Sequence, residues 1–329
     1  MKSILWFLIF NVVDSFSSDR PFQEWRNRTK LALNYFITTE AEMFERWLDN
    51  DEMINEHNTQ NHSWKMSHNQ FSHFSPKEFA EQLLHHFHPI KPMMFNAFRD
   101  RYFLNESEMR EPKKVDWRTK GVVGAIRNQQ QCGSCFAFSA VEAVESLYAI
   151  NTSKLVNMSV QQIVSCDTKD GNAGCKGGIM DPVFSFIKNN GLRSDEDYPY
   201  TSGKGDDGEC LEVFIGSNAL KPGWVTGFKD IPHGREDLLR LAVAQQPVSV
   251  AVDATFFQFY SSGIYSSEMC SKEHLNHAVV LVGYDKGEGF YWLRNSWGTG
   301  WAAENGGYMK IKMGTNECGL AMSASIPTH

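Results

Sequence analysis

The sequence predicts an α+β chain with a helical N-terminal region, a mostly helical middle and an antiparallel β-barrel at the C-terminal end. Three observations carry this. Cys135–Ile150 is apolar at nearly every position, interrupted only by Ser139, Glu142, Glu145 and Ser146, as in a helix buried all round. Val248–Val252 alternates with the two-residue period of a strand. His277–Tyr284 is an almost continuous apolar run, and Phe290–Asn295 and Tyr308–Lys312 follow with turn signals between them, a spacing that suggests an antiparallel barrel. Finally, composition changes near residue 110: residues 19–110 hold no cysteine, and all seven cysteines lie beyond them.

In chain order, Ile4–Val13 is an apolar stretch behind Lys2, too short to span a bilayer and of signal-peptide type. A signal peptide over 1–18, cut near Ser15–Ser18, is the expectation; a buried N-terminal strand is the bland alternative. Export agrees with the glycosylation tripeptides that begin at Asn27, Asn61, Asn105, Asn151 and Asn157, each of them a weak signal alone. Helical patterning runs through Phe22–Tyr35 and Thr38–Asn58, with a third helix near Pro76–His86. Seven of the eleven histidines (His57, His62, His68, His73, His85, His86 and His88) stand in this region. Further helices are expected near Ser159–Ser165 and Asp181–Asn189. The strand-rich part begins near Lys221.

With 329 residues, 42% of them hydrophobic, the chain can bury one or two cores. A net charge of −7 without a long basic run leaves no footprint for nucleic acid and none for a membrane surface once the signal is removed.

The chemistry is concentrated at Asn128–Ser139, where Cys135 stands between a Gly-Ser turn and the apolar helix. A helix N-terminus carries unpaired N–H groups and partial positive charge, which favour a thiolate. Next to a His, such a thiol titrates as low as ~3–4. Cys135 therefore reads as a nucleophile. An odd number of cysteines in an exported chain leaves one thiol free, while pairing the other six allows ~15 connectivities that spacing cannot choose among. Cys132-Gly133-Ser134-Cys135 is also a C-x-x-C motif, so a thiol–disulfide oxidoreductase has to be weighed; no strand–helix–strand pattern surrounds it. A zinc site from His274, His277 and Cys270 lacks a second ligand pair.

These residues resemble the active-site signature of papain-like cysteine peptidases of the cathepsin L type. The resemblance requires a downstream His and Asn, found as His277 in Leu275-Asn276-His277-Ala278 and Asn295 in Asn295-Ser296-Trp297-Gly298. It implies a papain-like fold of two lobes, a helical left lobe and a β-barrel right lobe, with the site in the cleft between them. Cys135, His277 and Asn295 would be catalytic, with Gln129 donating to the oxyanion. Trp297 would cover the His277–Asn295 bond and Trp301 would flank the leaving-group side. Gly177, Gly178, Ile179, Met180, Ala251, Leu275, Ala278 and Ser323 would bind substrate. The last six of these line an uncharged pocket for the residue before the cleaved one, which should favour hydrophobic side chains. The implied disulfides are Cys132–Cys175, Cys166–Cys210 and Cys270–Cys318.

Glu111–Arg118 resembles the start of a mature chain of this family, so 111–329 would be the peptidase domain and 19–110 an inhibitory pro-region removed between Ser107 and Pro112. Trp47, Asn50, Ile54 and Asn58, with Asn69-Gln70-Phe71, match part of the pro-region motifs. The Glu and Arg expected there fall on Thr39 and Met43, and the later Gly and Asp on Ser67 and His73. An independent helical domain is the alternative for this region. In the peptidase part, Gln130 replaces a usual Gly, which calls for altered backbone angles or makes Gln130 the oxyanion donor. Phe136 replaces Trp, Asn276 replaces an Asp, and Trp301–Tyr308 is longer than usual.

The expected function is a cysteine endopeptidase made as a secreted zymogen and destined for the exterior, the lysosome or the vacuole. It would act as a monomer without cofactor or metal, on peptide and protein substrates, held by its own pro-region as intramolecular inhibitor. A papain-fold protein with little activity that binds peptides is the alternative.

Overall fold

The computed structural model describes residues 20–29, 39–84, 111–211 and 219–329. The expected signal segment 1–18, Asn105, His85, His86, His88 and residues 107–110 of the expected cleavage segment Ser107–Pro112 lie outside these.

Three helices open the chain: α1 (20–29), α2 (Glu40–Thr59) and α3 (Pro76–Leu83). Both α2 and α3 start in capping boxes, Thr39 with Glu42 and Ser75 with Glu78, in which the cap hydroxyl and the acid each satisfy an orphan backbone N–H. Position 39, where an acid was expected, thus serves as the cap, while Met43 is buried in the core. An ion pair of 2.5 Å between Arg46 and Glu78 ties α2 to α3. The matched motif residues face inward. Asn50 Nδ2 donates to the carbonyls of Ser72 and Phe74, and Asn58 exchanges two hydrogen bonds with Met66. The short strand β1 (Trp64–Met66) then adds antiparallel to β5 (Tyr260–Tyr265).

After β2 (Lys114–Asp116) the helical lobe is built on α4 (Cys135–Thr152), α5 (Val160–Cys166) and α6 (Met180–Asn190). The strand lobe holds β3 (Gly227–Asp230), α7 (Glu236–Val243), β4 (Val248–Val252), β5, β6 (His277–Asp285), β7 (Phe290–Arg294), β8 (Tyr308–Lys312) and β9 (Ala324–Thr328). The class is the expected α+β, but the sheet is more open than a barrel. Among the described residues its order is β1-β5-β8-β7-β6-β4-β9-β3, with β2 beside β6; β1 and β3 end the path unjoined, and β5 and β8 run parallel.

The period of two decides how the lobes meet. Val248, Val250, Val252, Val279 and Leu281 enter the core of the strand lobe, while Ala251 and Ala278, projecting to the other face, join the core around α4. Small residues there let the helix lie close. Ser139 Oγ donates to the Val279 carbonyl, and Ser249 Oγ to the Ser139 carbonyl. Trp64, Phe71, Phe74, Phe79, Leu83 and Leu84 from the N-terminal region belong to the same apolar core as the strand lobe. Burying each such side chain is worth about 1.5–3 kcal/mol, so α3 and the turn before it are docked on that lobe rather than tethered beside it. Among the described residues no helix is long and apolar enough to cross a membrane.

Candidate active site

Cys135 is the first residue of α4 and only 1% exposed. Its cap, Ser134, makes no side-chain bond to the first turn, so the N–H groups of Cys135 and Phe136 remain directed at the sulfur. Together with the N–H of Ala278 they pull the thiol pKa down, but burial outweighs them and pushes it up to about 11. The sequence led to the opposite expectation. Desolvation penalises the thiolate, and the three backbone N–H groups do not offset it. The three disulfides are Cys132–Cys175, Cys166–Cys210 and Cys270–Cys318, and Cys135 is the free cysteine. Cys132 therefore has a partner other than Cys135, which removes the oxidoreductase reading, and Cys270 is engaged, which removes the zinc site.

His277 opens β6 and is fully buried. Its neighbour across the sheet is the residue just after β7: His277 Nε2–H donates to Asn295 Oδ1 at 2.8 Å. The Ala278 N–H that reaches Cys135 is the next backbone group after His277, so strand β6 brings the histidine to the helix that begins at Cys135. Trp297 stacks on the imidazole, with ring centroids 4.6 Å apart and planes 28° apart. Trp301 packs edge-on to Trp297, is fully buried and donates its indole N–H to the Phe257 carbonyl, so in this form it presents no surface to a ligand.

The two neighbouring glutamines separate clearly. Gln129 is fully buried; its Nε2 donates to the Cys132 carbonyl, and Ser296 Oγ donates to its Oε1. Gln130 is exposed, has φ 55°, and lays its side chain against Gly203. The altered backbone expected of Gln130 is present, and it leaves Gln129 as the amide turned inward. Ser296 has no pattern of its own in the sequence, and only its place beside Asn295 points to it.

Met180, Ala251 and Ala278 share one core with the partly buried Leu275. Ser323 accepts from the Ala251 N–H through its carbonyl, and Ile179 is buried. Gly177 and Gly178 precede them, and at Gly178 a Cβ would stand 2.3 Å from Asn172 Oδ1 and 2.7 Å from the Phe136 ring. Asn172 is a second residue with no sequence signal. Its Oδ1 accepts from the Ile179 N–H, and its Nδ2 donates to the buried Asp167. Asn276 orders the loop before the site: Nδ2 donates to Asp253 and Thr255, and Oδ1 accepts from the Ala254 N–H.

From the N-terminal region, Gln70 Nε2 donates to the Trp297 carbonyl at 2.7 Å, and Phe71 and Phe79 set their edges on the Trp297 indole.

Residues 111–328 match the family described as papain family cysteine protease. Procathepsin L of Mus musculus is 38% identical over 94% of this chain and 93% of its own length. A KDEL-tailed cysteine endopeptidase of Arabidopsis thaliana is 38% identical over 93% of this chain and 84% of its own. Among solved structures, digestive procathepsin L 3 of the Tenebrio molitor larval midgut superposes with a TM-score of 0.82 at 31% identity, covering 95% of this chain and 99% of that one. A recombinant stem bromelain precursor gives 0.80 at 29% identity, with the same coverage. The chain belongs to the papain family of cysteine proteases and is a cathepsin L-like precursor of it.

Proposed function

We propose that the protein is a cysteine endopeptidase whose nucleophile is Cys135, with His277 as general acid and base, Asn295 as its orienting partner, and Gln129 with the Cys135 N–H as oxyanion donors. The observation that carries the reading is the bond from His277 Nε2 to Asn295 Oδ1. It fixes the ring and leaves Nδ1 as the nitrogen that can exchange a proton with the sulfur. The Cys135 thiolate attacks the peptide carbonyl, His277 protonates the leaving amine, and water activated by His277 then hydrolyses the thioester. The negative oxygen formed in the attack is met by the Cys135 N–H and by the Gln129 amide. Swinging the Gln129 amide to that oxygen exchanges its present bond to the Cys132 carbonyl for a charge-assisted one.

Residues 19–110 act as the pro-region and 111–329 as the peptidase, with cleavage between Ser107 and Pro112. The contacts of Gln70, Phe71 and Phe79 with Trp297 support inhibition by the chain's own pro-region. Burial of the thiol, with its raised pKa, fits an inactive precursor. The signal-like N-terminus and the procathepsin and KDEL-tailed relatives support passage through the secretory pathway. The uncharged lining of Ile179, Met180, Ala251, Leu275, Ala278 and Ser323 supports a preference for hydrophobic side chains before the cleaved residue.

The test compares precursor and processed chain. Iodoacetamide at mildly acid pH should leave Cys135 of the precursor unlabelled, label it rapidly after processing, and abolish peptide hydrolysis as it does so. A processed, folded Cys135→Ser variant that still hydrolyses peptides would overturn the assignment.

A further inference from the structure

The apolar run of helix α4 is interrupted by Ser139, Glu142, Glu145 and Ser146, and two of these are carboxylates inside the protein. Glu142 is 2% exposed and Glu145 fully buried. A buried carboxylate costs several kcal/mol unless it is paired, so the partners matter. Glu142 Oε1 lies 3.1 Å from Nη2 of Arg294, itself 1% exposed. Glu145 takes the guanidinium of Arg127 and the Met158 N–H. The two arginines come from segments that matter to the site. Arg294 is the last residue of β7, immediately before Asn295, and its Nη2 also donates to the Ala125 carbonyl. Arg127 stands two residues before Gln129, and its carbonyl accepts from the Gly298 N–H. Between these segments Asn128 pairs with Trp297, and Gln129 N–H donates to the Ser296 carbonyl.

We propose that Glu142 and Arg294 are positioning residues for the proteolytic reaction: their buried pair fixes the end of β7, and thereby Asn295 and the His277 ring, against the helix that carries Cys135. The proposal rests on the Cys135–His277–Asn295 reading. It assigns to the pair the distance between two parts of the site that otherwise belong to different lobes.

Stability is a poor account of the pair. Burial pushes Glu142 up to about 7, against the pull of Arg294 and Arg127 and with a further push from Glu145. A carboxyl raised in the folded state holds its proton more tightly there, so folding stability is lost as pH rises from the unfolded value of ~4.3 to about 7. The groups facing the pair are Arg127, Glu145 and Tyr308, with Asp195 near Arg127. None relieves that cost fully. Apolar residues of similar volume are often as stable or more so in such a place. What they cannot do is give direction, as Nη2 of Arg294 does by donating to the Ala125 carbonyl with Glu142 Oε1 3.1 Å away.

The experiment uses the full precursor, processed in trans by pepsin, as Glu142→Gln, Arg294→Lys, the double variant Glu142→Leu/Arg294→Met, and Cys135→Ser. Positioning predicts that Glu142→Gln lowers kcat by about tenfold while KM stays within about twofold, and that iodoacetamide inactivation slows in parallel. Arg294→Lys should fall between it and the unaltered enzyme. The double variant separates the two roles. If the pair only supports the fold, removing both charges restores stability and kcat together; positioning predicts that Tm recovers and kcat does not. A folded double variant with unaltered kcat and alkylation rate overturns the proposal, as does a Glu142→Gln enzyme that loses Tm alone. Should Glu142→Gln fail to fold, the double variant decides. Turnover by Cys135→Ser would instead bring down the underlying triad reading, whereas an inert Cys135→Ser beside fully active Glu142 and Arg294 variants would bring down the positioning role alone.

Discussion

Phe79 of α3 meets the indole of Trp297 edge-on, with ring centroids 5.3 Å apart and planes 85° apart, while the same indole is stacked on the imidazole of His277. One aromatic ring thus joins the N-terminal region to the proposed general base. The pro-region contact and the cover over the His277–Asn295 bond are parts of one layer.

Phe79→Ala should loosen that layer. Removing a fully buried Phe costs about 3–5 kcal/mol, and here the loss falls on docking of α3 against the strand lobe. In a Cys135→Ser precursor, the denaturant midpoint of the pro-region should drop, and in the unaltered nucleophile background processing should begin at a higher pH. A midpoint that does not move would show that the region is held by β1 and the Asn69–Phe74 turn alone.

Asn295→Ala should lower kcat less than His277→Ala does. The imidazole keeps its chemistry when the amide is lost and forfeits only its anchored orientation, with Trp297 still stacked upon it. Steady-state kinetics on one peptide substrate ranks the two. Equal losses would assign Asn295 a larger part than orientation.

Gly178→Ala should raise KM. Its Cβ would collide with Asn172 Oδ1 and the Phe136 ring, and displacing Asn172 frees the Ile179 N–H it holds. Overpacking of this kind costs about 1–3 kcal/mol. A fluorogenic peptide series on the variant should show weaker binding with the preference for hydrophobic over basic residues retained, and Arg outperforming Leu and Phe in the unaltered enzyme would contradict the pocket assignment.

Histidine burial sets a pH dependence. Burial pushes His73 down to about 4, with Arg46 acting the same way, and the Gln70 backbone and Glu78 opposing. Its ring lies beside Phe74 and Trp25. Burial lowers His57 and His68 too. The folded pKa is below the unfolded value of ~6.5, so the unfolded pro-region takes up the proton first. The contribution to stability is complete above about 6.5 and lost as pH falls towards about 4. Replacing His73 with Gln in the Cys135→Ser precursor should flatten the fall in unfolding midpoint across that window. A joint replacement of His85, His86 and His88 serves as the comparison. If the slope is unchanged by His73→Gln, another group senses the acid.

The sequence by itself determined which atoms this chain can use. An odd cysteine at the head of an apolar helix singles out Cys135, and alternation over Val248–Val252 sets which side chains enter the sheet's core, because period and composition are local properties. The pK of Cys135 could not be read this way. Its direction depends on what excludes water from the sulfur, and the sequence argument counted the helix terminus without the desolvation. Only the tertiary structure decided that Gln129 rather than Gln130 turns inward, since the choice rests on Ser296, 167 positions away along the chain. It alone set Phe71 and Phe79 against Trp297, opened the sheet at β1 and β3, and brought Glu142 to Arg294. Each of these is a contact between residues far apart in the chain, fixed by how two lobes and a docked N-terminal region fill one another's surfaces, and no periodicity records that.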